Sequence, residues 1–533
     1  MVNLRKAVPF NLYPAMESET FLFYMLRYNY INDVLPLHSR GRNKENHVDL
    51  FQLTMKSYES PVKEIREYYG EPIAIYFLWC NFMAKWLLMP TVFALILYVI
   101  EFIVWDEKLQ QLYNVGFSVG IAVWAVLLVK NWRRRCAEID IEWDNYNLDT
   151  EKVSLRQQFQ GDLVTDQITD RDTIYYSDNQ RLMRYIESVI ISFPYIFGAL
   201  FVMIASLNMM GYVDDKEIYC MSFLADMAKP GGVFEKGSFL SSVPSVIMTV
   251  GMTIIGKLYE PTAEWTTERE NHKTKQDHLN SVNIKKFAFN LTFYFSHLFY
   301  VAFEKMDLPG LRKELITLAL VDEIRRIVSE SALPAVIQNN GFHFDKKFDS
   351  IVEEELNEIA KPEYTFFEDY LEFVIQYGYV TLFAVAFPLG AAFNYIFFFF
   401  ERRSDTFKIE KLCRRPISSS TSDIGIWDNI MVFMSYTSIF TNLFLFAFAL
   451  NHDELLNSTN IVCVNSYFFI ANEHLLIIII VILTRVIPDK PKWVRTFLKR
   501  ADFKLKRETI VRNAASKIST ATSKIKGLAA FKG

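Results

Sequence analysis

Residues Phe366 to Asp405 read FFEDYLEFVIQYGYVTLFAVAFPLGAAFNYIFFFFERRSD, a long apolar run with acids at both ends. Asp369 and Glu372 stand three apart and Glu401 and Asp405 four apart, so on helices each pair shares one face. The 28 residues from Phe373 to Phe400 would make about 42 Å of straight helix, against a hydrocarbon core of roughly 30 Å. Pro388-Leu389-Gly390 in the middle removes a backbone donor and supplies a corner. The stretch therefore reads as a tight hairpin of two membrane helices, which returns all four acids to one side of the bilayer. Crowded carboxylates repel unless a cation joins them, and four oxygen-rich side chains suit Ca²⁺. The competing reading is that each acid merely marks where a helix leaves the membrane.

The rest of the chain agrees with a membrane setting. Of 533 residues, 51% are hydrophobic and 15% aromatic, with 46 Phe and 27 Tyr, and apolar runs of about twenty residues recur. Spans are predicted from about Pro72 to Ile100, then at 113–130, 184–207, 239–257, 283–303 and 310–334. The hairpin adds the seventh and eighth, and 425–450 and 473–488 complete ten. The fold class is thus an all-α polytopic membrane protein, with a membrane-facing polar groove argued below. Residues 1–72 form a short cytosolic region, 73–489 the membrane domain and 490–533 a basic cytosolic tail. No signal peptide is expected, because charged and polar residues precede the first apolar run.

Charge sets the orientation. Arg133-Arg134-Arg135 flank the second span, and Arg402, Arg403, Lys408, Lys411, Arg414 and Arg415 follow the hairpin, so both groups belong on the cytosolic side. Ten spans also return both termini to the cytosol and leave Asn457-Ser458-Thr459 outside as a glycosylation acceptor. The membrane itself, plasma or internal, is not specified. Cys220 and Cys463 are the two cysteines expected in outer loops, either paired or as free thiols. The five cysteines form no CxxC or Cys/His cluster, which argues against zinc. No nucleophile motif or phosphate loop points to an enzyme, and nothing points to nucleic acid.

Two spans are unusually polar. The second half of the sixth carries Asp322, Glu323, Arg325, Arg326, Ser329 and Glu330, and ionisable residues at such depth need a partner or water. In the fourth, Ser241, Ser245, Thr249, Thr253 and Lys257 recur every four residues. They either line a polar groove or bond back to their own helix. Asn290, Tyr294 and His297 of the fifth span could line the same groove, while a lone membrane His is otherwise a packing residue. The basic tail from Lys490 suits anionic lipid headgroups, at about 1 kcal/mol per basic residue, or is a disordered end.

Several ordered stretches carry a family resemblance: IREYYGEPIAIYFLW, NWRRRCAEIDIEWD, TTERENHKTKQDHLNS, HLFYVAF, YLEFVIQYGYVTLFAVAFPL, CRRP, IGIWDNI and EHLLIIIIVILTRVIPD. Together they resemble the anoctamins, ten-span homodimers that include Ca²⁺-activated chloride channels and phospholipid scramblases. The resemblance implies phospholipids and small anions as cargo, a homodimer, and Ca²⁺ bound by acids of spans six to eight. The matching acids here are Glu330, Asp369, Glu372, Glu401 and Asp405. Two departures stand out. Arg326 occupies a position where the family pattern usually has Asn, one turn before Glu330, placed either to point at the acids or to snorkel to headgroups and leave the site untouched. Leu318-Ala319-Leu320 replaces the usual mid-helix Gly. Transport, as a Ca²⁺-gated scramblase, anion channel or both, is the function this implies; a membrane tether acting through the basic tail is the alternative.

Overall fold

The computed structural model describes the backbone of residues 61–103, 107–147, 156, 158–165, 172–213, 215–235, 239–326, 328, 359–416, 421, 423–451 and 461–508. The predicted cytosolic region at 1–60, the glycosylation acceptor at 457–459, Glu330 and the end of the tail lie outside them.

A helix stands at every position where a span is predicted. After a short α1 (Val62–Tyr69) come α2 (Glu71–Ile103), α3 (Glu107–Glu142) and α4 (Asp178–Met209). Next are α5 (Val243–Arg269), α6 (Lys275–Phe299) and α7 (Leu308–Arg326). The hairpin supplies α8 (Phe367–Leu382) and α9 (Gly390–Phe407), followed by α10 (Ile426–Asn451), α11 (Ile461–Val486) and a helix α12 over 492–508. Several run beyond the predicted apolar spans, since a helix need not end where the membrane does: α3 continues through the triple Arg to Glu142. A two-stranded antiparallel ribbon, β1 (Asp162–Thr165) with β2 (Asp172–Tyr175), pairs Leu163 with Ile174 and is the departure from the all-α expectation.

Three of the described helices are long and apolar enough by themselves to cross a bilayer, with mean hydropathies of 2.1, 2.2 and 1.3 for α2, α4 and the stretch Leu240–Arg269. The outward faces are apolar as well. Phe102, Val189, Ile190, Phe193, Phe197, Ile254 and Phe400 are all exposed, which suits lipid and not water.

The helix on which the sequence reading turns lies at the centre of the bundle. Every residue of α8 from Asp369 to Leu382 is buried, against α10 on one side and α9, α3 and α6 on others. Most of its surface is accordingly apolar, as in a core helix, and its Asp369, Glu372 and Gln376 side chains are buried inside the protein. Gly378 permits the closest approach: a Cβ there would collide with Phe295 of α6 and Met434 of α10. The corner at Phe383–Leu389 is non-helical backbone, buried from Phe383 to Ala386, so its polar groups need partners. Arg312 of α7 donates to Ala386 O at 2.9 Å, and Asn442 of α10 accepts from Val385 N at 3.2 Å and donates to Thr381 O at 2.6 Å. α9 then folds back along α8, where Phe373 and Phe398 rings meet at 5.1 Å and Asn394 donates to Gln376 O at 2.7 Å.

Candidate functional site

The return of α9 brings the two acid pairs to one end. Asp369, Glu372, Glu401 and Asp405 are all buried, none more than 4% exposed. Four carboxylates at that depth need compensation, and protein groups supply part of it. Lys408, in the π-helical turn Lys408–Leu412 that extends α9, places its Nζ 2.5 Å from Asp369 Oδ1. The Tyr364 hydroxyl donates to the other Asp369 oxygen, and the Tyr76 hydroxyl of α2 donates to Asp405 Oδ2.

Further compensation comes from α7. Arg326, 4% exposed, puts Nη1 2.9 Å from Glu372 Oε2 on α8. Its Nη2 donates to Glu323 Oε2 at 2.9 Å, and its Nε lies 3.4 Å from Asp322 Oδ2. Arg325 turns the other way and pairs with Asp322 Oδ1 at 2.7 Å and with the Tyr294 hydroxyl at 3.3 Å. The planar fork of guanidinium suits such multiple carboxylate contacts better than a point ammonium would. Arg326 is therefore a bridge between α7 and the hairpin.

What remains for a metal is oxygen. Asp405 Oδ1 and Glu323 Oε1 are buried and accept no hydrogen bond among the described residues. Hard carboxylate oxygens are Ca²⁺ donors in kind. Among the described residues, however, no three Asp, Glu, His or Cys side chains converge as a ready-made metal site, and Glu330 lies outside them.

The polar stripe takes a different form from an open lining. Ser241 belongs to a 3₁₀ turn, Phe239–Ser242, ahead of α5, because Pro244 begins the helix proper. Ser245 and Thr249 are buried, and Thr249 and Thr253 donate to the carbonyls of Ser245 and Thr249 at 2.9 and 2.7 Å. Those hydroxyls serve their own helix. Thr253 is half-buried and Lys257 exposed. Asn290 likewise donates to Lys286 O at 2.8 Å, whereas Tyr294 donates to Asp322 Oδ1 at 3.3 Å. His297 is fully buried and stands 3.3 Å from Glu314. Cys220 is a free, half-buried thiol, and the side chain of Cys463 lies outside the described ones.

Several partners escape the sequence reading. Lys408 lies three residues beyond Asp405, on the same helical face, a spacing that could have revealed it; counting it only as a cytosolic charge hid its role. Tyr76 is 329 residues from Asp405, and no local pattern reports it. A second buried acid, Glu270 beyond the end of α5, gathers Lys285 at 2.5 Å, Ser281 at 2.6 Å, Ser188 at 2.7 Å and His272 at 2.8 Å. Burial works to raise its pKa, but these four hydrogen-bonding partners outweigh burial and lower it to about 2.

Comparison with known proteins places this arrangement in context. The family described as "Anoctamin: Calcium-activated chloride channel" matches residues 65–501. Anoctamin-10 of Mus musculus is 28% identical over 504 residues, covering 92% of this chain and 73% of the relative. Anoctamin-10 of Homo sapiens is 28% identical with the same coverage, and Anoctamin-7 of Mus musculus is 24% identical over 73% of this chain and 53% of its own length.

Proposed function

The chain belongs to the anoctamin family, whose members carry out channel- or scramblase-type membrane transport, and from that premise we propose that it moves phospholipid, small anions or both, with the inner end of α7 as its moving part. The observation that carries this reading is the Arg326–Glu372 contact at 2.9 Å, which couples the ionisable end of α7 to the central hairpin. Seven ionisable side chains would not be kept along a membrane helix such as α7 for packing alone.

Asp405, Glu401 and Glu330 are the acids that would hold Ca²⁺, joined by Asp369 and Glu372 where Lys408 and Arg326 give way. A bound Ca²⁺ supplies two positive charges to that acid cluster. The chain's own residues supply part of the same charge. Arg326 neutralises Glu372 and draws α7 onto α8; Lys408 neutralises Asp369 within the hairpin. Docking of α7 then depends less on metal, so some transport persists without Ca²⁺, and each ion that binds does so beside a permanent cation. A path for headgroups or anions borders α5, α6 and α7, with Lys257 at its exposed part. A dimer is proposed from the family alone.

Purified protein in liposomes, assayed side by side for lipid flip and chloride flux with and without Ca²⁺, tests the reading. Transport of either cargo supports it; absence of both, in protein shown to be folded and inserted, overturns it.

A further inference from the structure

Four elements bring polar groups together at the end of the bundle opposite the hairpin acids. Glu314 lies in the early turns of α7, twelve residues or about 18 Å before Arg326, and is 5% exposed. Its Oε2 stands 3.3 Å from Nε2 of His297 on α6. The Ser245 hydroxyl of α5 donates to the same oxygen at 3.4 Å. Tyr212, just past α4, borders the same group with its ring edge-on to His297.

His297 is the unusual member. It is 0% exposed, yet neither ring nitrogen makes an aligned hydrogen bond among the described residues. A merely packed imidazole would be expected to use at least one nitrogen, since a buried unsatisfied polar group costs about 1–3 kcal/mol. The groups facing it are few. Glu314 approaches from α7, Ser245 from the α5 side, and Tyr212 edge-on with ring centroids 6.4 Å apart. Asp307 sits behind Tyr212, accepting from Gly310 N. Two residues to either side along α6, Phe295 and Phe299 pack on Phe383 and carry no charge. Arg312 is engaged with the hairpin corner at Ala386 O, and Lys313 is exposed. No cation other than a protonated His297 is placed to pair with Glu314 among the described residues.

We propose that His297 and Glu314 form a proton-operated tie between α6 and α7. A proton taken from water onto His297 Nε2 turns the 3.3 Å approach into a hydrogen-bonded ion pair, drawing the outer end of α7 against α5 and α6; its return to water releases that end. Imidazole is the side chain that changes charge between pH 5 and 8, and Tyr212 beside it is only half-buried. The proposal rests on α7 being the moving part, and adds a second control point at the end remote from the acid cluster.

The test uses full-length protein in liposomes, with native cysteines replaced by serine and spin labels at Lys313→Cys on α7 and Val246→Cys on α5, both exposed. Lowering pH from 8 to 5.5 should shorten the label distance in one step, and His297→Gln and Glu314→Gln should each abolish the step. Transport measured with pH changed on one face at a time should change about fivefold or more from the face opposite the hairpin acids, and be flat in both variants. Should His297→Gln not be recovered folded, Glu314→Gln gives the same reading. A parent distance indifferent to pH, or a step that persists in Glu314→Gln, overturns the tie and leaves His297 as a packing residue. A pH-dependent distance in protein that transports nothing keeps the tie and sinks the transport reading instead.

Discussion

Arg326 on α7 and Glu372 on α8 form a buried ion pair, with Nη1 2.9 Å from Oε2 and both side chains at most 5% exposed. The guanidinium also reaches Glu323 and approaches Asp322, so one fixed cation serves three carboxylates. At 6 Å and an effective dielectric of 20, a divalent ion and a unit charge repel by about 5–6 kcal/mol. Solvent and side-chain motion reduce that figure greatly, yet 1.4 kcal/mol already changes affinity tenfold.

The two acids with different partners should respond differently to neutralisation. Glu401→Gln removes a proposed Ca²⁺ ligand while leaving both partners of the Arg326–Glu372 contact in place, and should shift activation to at least about tenfold higher Ca²⁺. Glu372→Gln breaks the bridge and should chiefly lower transport without Ca²⁺, with a loss of stability on the order of 3 kcal/mol. Dose–response curves and thermal unfolding of both variants check this. Curves that overlay the parent in both would show that these acids are not the sensor.

Lys408 pairs with Asp369 at 2.5 Å and occupies part of the same charge cluster. Lys408→Gln should free Asp369 and move Ca²⁺ activation to lower concentration, by about tenfold, at some cost in stability. A shift toward higher Ca²⁺ would show that the lysine supports the site instead of competing with it.

The Glu270 cluster predicts an acid-sensitive fold. Its folded pKa of about 2 lies below the ordinary carboxylate value, so its contribution is present above about pH 4.5 and is lost as pH falls toward 2. Glu270→Gln should therefore cost on the order of 3 kcal/mol at neutral pH, and much less near pH 2. Unfolding of parent and variant across that range gives the answer; a difference independent of pH would mean that packing, not charge, sets the loss.

Thr253→Val removes a hydroxyl whose bond runs to Thr249 O within α5. Flux should stay within about twofold of the parent if self-bonding is its role. A tenfold fall would mean that the stripe lines the path after all.

The hairpin was legible because two independent signals agreed: an apolar run too long for one crossing and a Pro-Leu-Gly corner in its middle. Arg326 was legible as a departure in type, though its partner Glu372 depends on how α7 meets α8. The stripe misled at Ser241 because Pro244 starts the helix later than the four-residue period suggests. Whether a hydroxyl faces a groove or its own carbonyl leaves no trace in spacing. The Glu270 cluster went unread although Glu270, His272 and Ser281 stand in one quoted stretch, since Lys285 and above all Ser188 of α4, 82 residues away, reach it only through the packing of α4 and α6.

The most direct measurement is Ca²⁺ binding counted by calorimetry on parent and Arg326→Asn protein, alongside transport against free Ca²⁺. If Arg326 acts as a resident cation, the parent binds weakly, with one ion instead of two, and transports measurably without Ca²⁺. Arg326→Asn should then bind more tightly, by about tenfold or more, and lose most of the Ca²⁺-free transport. Two tightly bound ions in the parent, with no change in the Asn variant, would contradict it.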